Sequence, residues 1–193
     1  MLKTVIWLIS IIIICGCETK IPDRSTPEGA FSRLSRCIDA ASTECLFWEL
    51  DNETRWTVSS IHKILKETRQ TVEKSYPADA TLRSSVYGKW QQEALAQTDV
   101  AMFDTLCKKH NCLKLLARGF GAITARQIKN NTAEIHTVRD AAFELRKSKG
   151  QWGIVLLQDV LEGEKIRLSD SLKQVRRNAN EYEQQRLATG KTK

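Results

Sequence analysis

Phe120-Gly121-Ala122-Ile123-Thr124-Ala125-Arg126-Gln127-Ile128, then Asn130-Asn131, then Ala133-Glu134-Ile135-His136-Thr137-Val138-Arg139, is the stretch on which the fold turns. Each run carries aromatic or β-branched residues, and the Asn-Asn pair between them tolerates the left-handed backbone of a tight turn, so the stretch predicts a hairpin. Ala142-Phe143-Glu144-Leu145-Arg146 adds a third strand with Phe143 and Leu145 on one face. Ser148-Lys149-Gly150-Gln151 turns the chain, and Trp152-Gly153-Ile154-Val155-Leu156-Leu157 is apolar at both parities, which predicts a central strand covered on two sides. The expectation is an antiparallel meander.

Upstream the texture is helical. Ser25-Thr26-Pro27-Glu28 caps and opens a helix carrying Phe31, Leu34, Ile38 and Ala41 at helical spacing. Ser42-Thr43 breaks it, and a short helix over 44–50 is apolar on most sides. Asp51 or Asn52 caps a third helix whose expected stripe is Trp56, Ile61, Ile64, Leu65, Thr68 and Val72, ending near Tyr76-Pro77. Two further helical stretches carry Leu82, Val86 and Trp90, then Val100, Phe103 and Leu106. A final helix is expected from about Ser169 to Arg186, packing on the sheet of its own domain rather than seeking a partner as a coiled coil. The fold class is therefore α+β, with N-terminal helices packed on the meander and a helix at the C-terminus. One domain is expected over 26–188 and a disordered tail over 189–193.

The first residues read differently. One lysine, Lys3, an apolar run from Val5 to Ile14, and then Cys15-Gly16-Cys17 form the layout of an export signal, and the apolar run is short for a spanning helix. The layout resembles the signal of bacterial lipoproteins. That resemblance implies a signal peptide over 1–16, cleavage before Cys17, lipidation of Cys17, and a tether over 17–25 spanning at most about 27 Å at roughly 3.4 Å per residue. The expected location is the bacterial cell envelope, with the protein anchored to a membrane and facing the periplasm. Glu18 occupies the position where known sorting systems respond mainly to aspartate, which favours the outer over the inner membrane. The net charge is +7. Export puts nucleic acid out of reach; with no uninterrupted basic block the excess charge reads first as a solubilising surface, and anionic head groups or acidic wall polymers are its remaining counterparts.

The order of elements, from Thr26-Pro27-Glu28 with Phe31 and Leu34, through Leu50-Asp51 and a third helix, to a meander closing on Gly150-Gln151-Trp152, is similar to the cone-shaped fold of the nuclear transport factor 2-like and ketosteroid isomerase superfamily. It looks especially like secreted bacterial lipoproteins of unknown function with this fold. The resemblance implies a curved sheet wrapped on helices around an apolar cavity. It also allows a homodimer through the open sheet face. The helical insertion at about 80–110 and the C-terminal helix depart from the simple pattern.

Cys37, Cys45, Cys107 and Cys112 form an even set for an oxidising compartment. The expected pairs are Cys37 with Cys45, across the Ser42-Thr43 break, and Cys107 with Cys112, closing a short loop. Cys107, His110 and Cys112 have a spacing permissible for zinc but no nearby fourth ligand, and neither metal nor cofactor is expected. Gly119-Phe120-Gly121 lacks the third glycine of a phosphate-binding loop. Asp51, Asp140, Tyr87 and His136 have the chemistry for isomerase-type acid–base work, yet each has a simpler structural role. Trp48, Trp56, Trp90, Phe143 and Trp152 read first as core rings, and they are the candidates for lining an apolar pocket if the fold encloses one. The functional expectation is a non-catalytic binding or accessory module docking on an envelope protein. The alternatives are a carrier of lipid or small apolar molecules in the cone cavity and an isomerase-like enzyme.

Overall fold

The computed structural model describes residues 22–190. The expected signal peptide, Cys17 and the first part of the tether lie outside the described residues, as do residues 191–193 of the tail. Thr26 caps α1 (Pro27–Asp39) by accepting from the Gly29 N–H, and Ala30, Phe31, Leu34 and Cys37 form its buried stripe. Ser42 caps α2 (Thr43–Glu49), and Asp51 caps α3 (Asn52–Ser75) by accepting from the Glu53 and Thr54 N–H groups. A disulfide joins Cys37 to Cys45 across the corner between α1 and α2, with Cα atoms 5.2 Å apart. Next come α4 (Ala80–Tyr87), a 3-10 turn (Gly88–Trp90), α5 (Gln91–Leu95), α6 (Asp99–Lys109) and α7 (Cys112–Gly119).

The meander is β1 (Ile123–Lys129), β2 (Thr132–Thr137), β3 (Ala142–Ser148) and β4 (Gln151–Ile154), antiparallel and paired in sequence order. Period-two alternation sorts its two faces. Ala133, Ile135, Phe143 and Leu145 point inward and are buried, whereas Glu134 opposite Glu144 and His136 opposite Ala142 face outward. α1 covers the inner face, and there Phe31 stacks on Phe120 at 4.3 Å and meets Phe143 edge-on at 5.2 Å.

Two expectations need correction. β4 ends at Ile154 and lies at an edge of the sheet, not at its centre. Its two-sided burial comes from the α2–α3 junction crossing that edge: the Asp51 N–H donates to the Ile154 carbonyl at 2.9 Å and Leu50 bridges Ile154 in parallel. Gly153 permits the crossing, since a Cβ there would stand 2.6 Å from the Asp51 Cα. At the opposite edge every residue of β1 is exposed, and Arg126, Lys129 and the irregularity between Ile123 and Ala125 blunt it against stray pairing.

The final helix, α8 (Gln158–Ala188), begins well before Ser169 and runs along α3 rather than packing chiefly on the sheet. Leu157 enters it with φ 55°, and Leu161, Leu172, Val175 and Ala179 are buried. Their spacing is close to a heptad seam, which suits a straight partner helix such as α3, whose Val58, Ile61, Leu65 and Val72 are buried in turn. Among the described residues no helix is long and apolar enough to cross a membrane.

Candidate functional site

The five rings that are candidates for one pocket separate into two groups. Trp90, Phe143 and Trp152 are buried in the main core. Lys109 Nζ sits 5.0 Å from the Trp90 ring and Lys147 Nζ 5.8 Å from that of Trp152, while Phe143 belongs to the Phe31–Phe120 cluster. These three fill the core instead of lining a cavity. Trp48 and Trp56 face outward, 51% and 75% exposed.

Those two tryptophans line an open groove of about 450 Å³ between α2 and the first half of α3. Asn52, Trp56 and Ser60 recur every fourth residue on α3, with Arg55, Ser59 and Lys63 beside them, so one helical face supplies most of the lining. Trp48 and Phe47 come from α2, which the Cys37–Cys45 disulfide ties back to α1. The Arg55 guanidinium lies 6.0 Å from the Trp48 ring and donates to Asn52 Oδ1, while its Nε is buried without a hydrogen-bond partner among the described residues. A more polar cleft of about 590 Å³ shares Asn52, Trp56 and Ser60 and adds Arg146, Lys147 and Lys165 opposite Glu53 and Glu162.

Asp99, at the start of α6, closes the groove and brings Ser59 and His62 together. The residue types match a nucleophilic triad, but the connections do not. Ser59 donates to Asp99 Oδ2 rather than to the imidazole; His62 Nδ1 meets Asp99 Oδ1 at 2.6 Å and Nε2 meets the Ala96 carbonyl at 3.0 Å. With both ring nitrogens engaged, His62 has none to spare as a base for Ser59. Burial raises the Asp99 carboxyl, but the bonds from Ser59 and His62 outweigh it and hold the group below its ordinary value. The cluster is a clamp between α3 and α6.

The other candidates stay apart. Asp51 is the cap of α3, Asp140 sits in a turn at φ 53°, His136 pairs with Glu134 on the outer sheet face at 3.1 Å, and Tyr87 ends α4. The expected Cys107–Cys112 cross-link is not formed. The corner at His110 and Asn111, the latter at φ 51°, turns both thiols into the core, where their mutual hydrogen bond holds Cys107 below and Cys112 above the usual thiol value. Among the described residues no group of three or more His, Cys, Asp or Glu side chains is placed to hold a metal.

The Ser59–His62–Asp99 clamp was invisible in sequence because Asp99 belongs to another helix. Trp56 was legible. It stands five residues before Ile61, about 140° around the helix at roughly 100° per residue, and so off the buried stripe. No family model, curated protein or solved structure matches this chain.

Proposed function

We propose that this chain is a lipid-anchored, non-catalytic binding module of the bacterial cell envelope, held at a membrane through Cys17, which binds through the outer groove of α2 and α3. The observation that carries the reading is the exposure of Trp48 and Trp56 on one groove. Isolated exposed apolar residues are ordinary, but two indole rings sharing a concave surface with an arginine and a lysine have the composition of a binding site. The absence of catalysis is supported by the wiring of Ser59, His62 and Asp99 and by the scatter of Asp51, Asp140, Tyr87 and His136. Helices preceding a meander agree with the resemblance to nuclear transport factor 2-like domains, which stays part of this proposal, as does the preference for the outer membrane from Glu18.

The test has two parts. Cys17→Ser should move the protein from the membrane fraction to the soluble fraction. A photo-reactive residue at Ser60 should cross-link a defined species in the native membrane, whereas one at Glu134 on the outer sheet face should not. Equal labelling from both positions argues against the groove. A small apolar ligand is the second reading, favoured because about 450 Å³ is a volume that such molecules fill. It predicts extractable extra mass on the purified protein that Trp48→Ala abolishes.

A further inference from the structure

The occupant of the groove follows from where the tether joins the fold. Arg24 donates to the Trp48 carbonyl at 2.8 Å and to the Trp152 carbonyl at 2.7 Å, and the Trp152 N–H donates back to the Arg24 carbonyl at 2.8 Å. The last residues of the tether are thus fastened to the wall of the groove itself. The chain from Cys17 to Arg24 reaches at most about 24 Å at roughly 3.4 Å per residue, so a lipid on Cys17 keeps Arg24 within that distance of the bilayer and Trp48 only an arginine side chain beyond it.

The charge around the rings suits such a surface. The acids nearby are already engaged: Asp99 by Ser59 and His62, Glu162 by Lys165 and Thr57, and Glu53 by Arg146. Lys63 remains exposed, and the half-buried Arg55 lines the groove beside the Trp48 ring. Indole rings prefer the head-group layer, where the ring is half buried and its N–H stays wet, and neighbouring cations are drawn to lipid phosphates.

We propose that the groove is a bilayer-docking face, in which Trp48 and Trp56 seat in the head-group layer of the anionic membrane that holds Cys17, with Arg55 and Lys63 against lipid phosphates. The inference rests on the lipid-anchor reading. Docking fixes the orientation of the domain, with the α2–α3 side toward lipid.

The test uses the mature lipidated protein, with its lipid verified by mass, in vesicles of phosphatidylcholine containing about one third phosphatidylglycerol and carrying brominated acyl chains that quench tryptophan. Trp90 and Trp152 are buried and provide the unquenched background. Emission should be quenched on the anionic vesicles. The Arg55→Glu/Lys63→Glu variant keeps every ring and should lose at least about fivefold of that quenching, as should wild type on phosphatidylcholine alone. Trp56→Ala, at a largely exposed position, should remove the larger share without altering the fold by circular dichroism. Unquenched emission from folded, lipid-bearing protein on anionic vesicles overturns the docking face and leaves the binding-module reading standing. A protein lacking lipid at Cys17 overturns the anchor, and this inference with it.

Discussion

Trp152 on β4 and Trp56 on α3 carry the same side chain into opposite environments. Trp152 is 3% exposed because its strand is crossed by the α2–α3 junction, covered by the core and tied to Arg24. Trp56 looks out from the opposite side of the very helix whose Ile61 and Leu65 build that core. An aromatic ring in this chain is placed by the face it shares with its partners and not by its size. The inward rings hold the fold, which leaves the outward rings available for binding.

Truncating one ring of each kind separates the two environments. Trp152→Ala should lower the unfolding free energy by about 3–5 kcal/mol in urea titrations, since it opens a cavity in a packed core. A loss below about 1 kcal/mol would mean that this ring is not structural. The disulfide sharpens the same contrast by holding the wall beneath Trp48. Replacing Cys37 and Cys45 by serine should cost about 2.5 kcal/mol on the chain-entropy model. Wild-type mass should lie about 2 Da below the reduced form, one cross-link and not two.

Gly153→Ala comes next. The added methyl meets the Asp51 backbone at 2.6 Å, so β4 and the α2–α3 junction must part, at a cost of about 1–3 kcal/mol. Ligand or lipid binding should weaken with it if the groove depends on that junction. A smaller effect is the response to acid. The carboxyls of Asp99, Asp104, Glu162 and Glu164 are all held below their ordinary values. For Asp99 and Glu164 burial acts in the opposite sense, yet bonds from Ser59 and His62 and from Lys89 outweigh it; Lys108 and Thr43 act on Asp104, and Lys165 and Thr57 on Glu162. Each therefore contributes stability that is present above the unfolded carboxyl range and lost as pH falls below about 4 through the folded values. Urea midpoints measured downward from about pH 6 should drop there, and Asp99→Asn should flatten part of the drop. Trp56→Ala is last, within about 0.5 kcal/mol of wild type, because the ring is three-quarters exposed.

Much of the architecture was legible. Thr26 and Pro27 announce α1, Asp51 announces α3, and the alternation of Ala133, Ile135, Phe143 and Leu145 announces the inner face of the sheet. The early start of α8 was not, because Gly163 and the charged residues around it dilute the apolar period until Leu172. Nor was the edge position of β4. Apolar residues at both parities report that a strand is covered, and cover supplied by Leu50 and Asp51 reads the same as cover supplied by a packed layer. The groove was half legible. Its rings were singled out, but Trp48 and Trp56 were grouped with three core residues.

Local chemistry is written in the order of residues. Caps, turn residues and hydrophobic periods act over a few positions, so the four strands and most of the helices are set by the order of residues, whereas α7 and the first turns of α8 are not marked in it. Only packing settled which rings remain outside, that Cys107 and Cys112 stay thiols, and that Arg24 fastens the tether beside Trp48. Those outcomes depend on contacts between segments far apart in the chain, whose geometry exists only once the segments have packed.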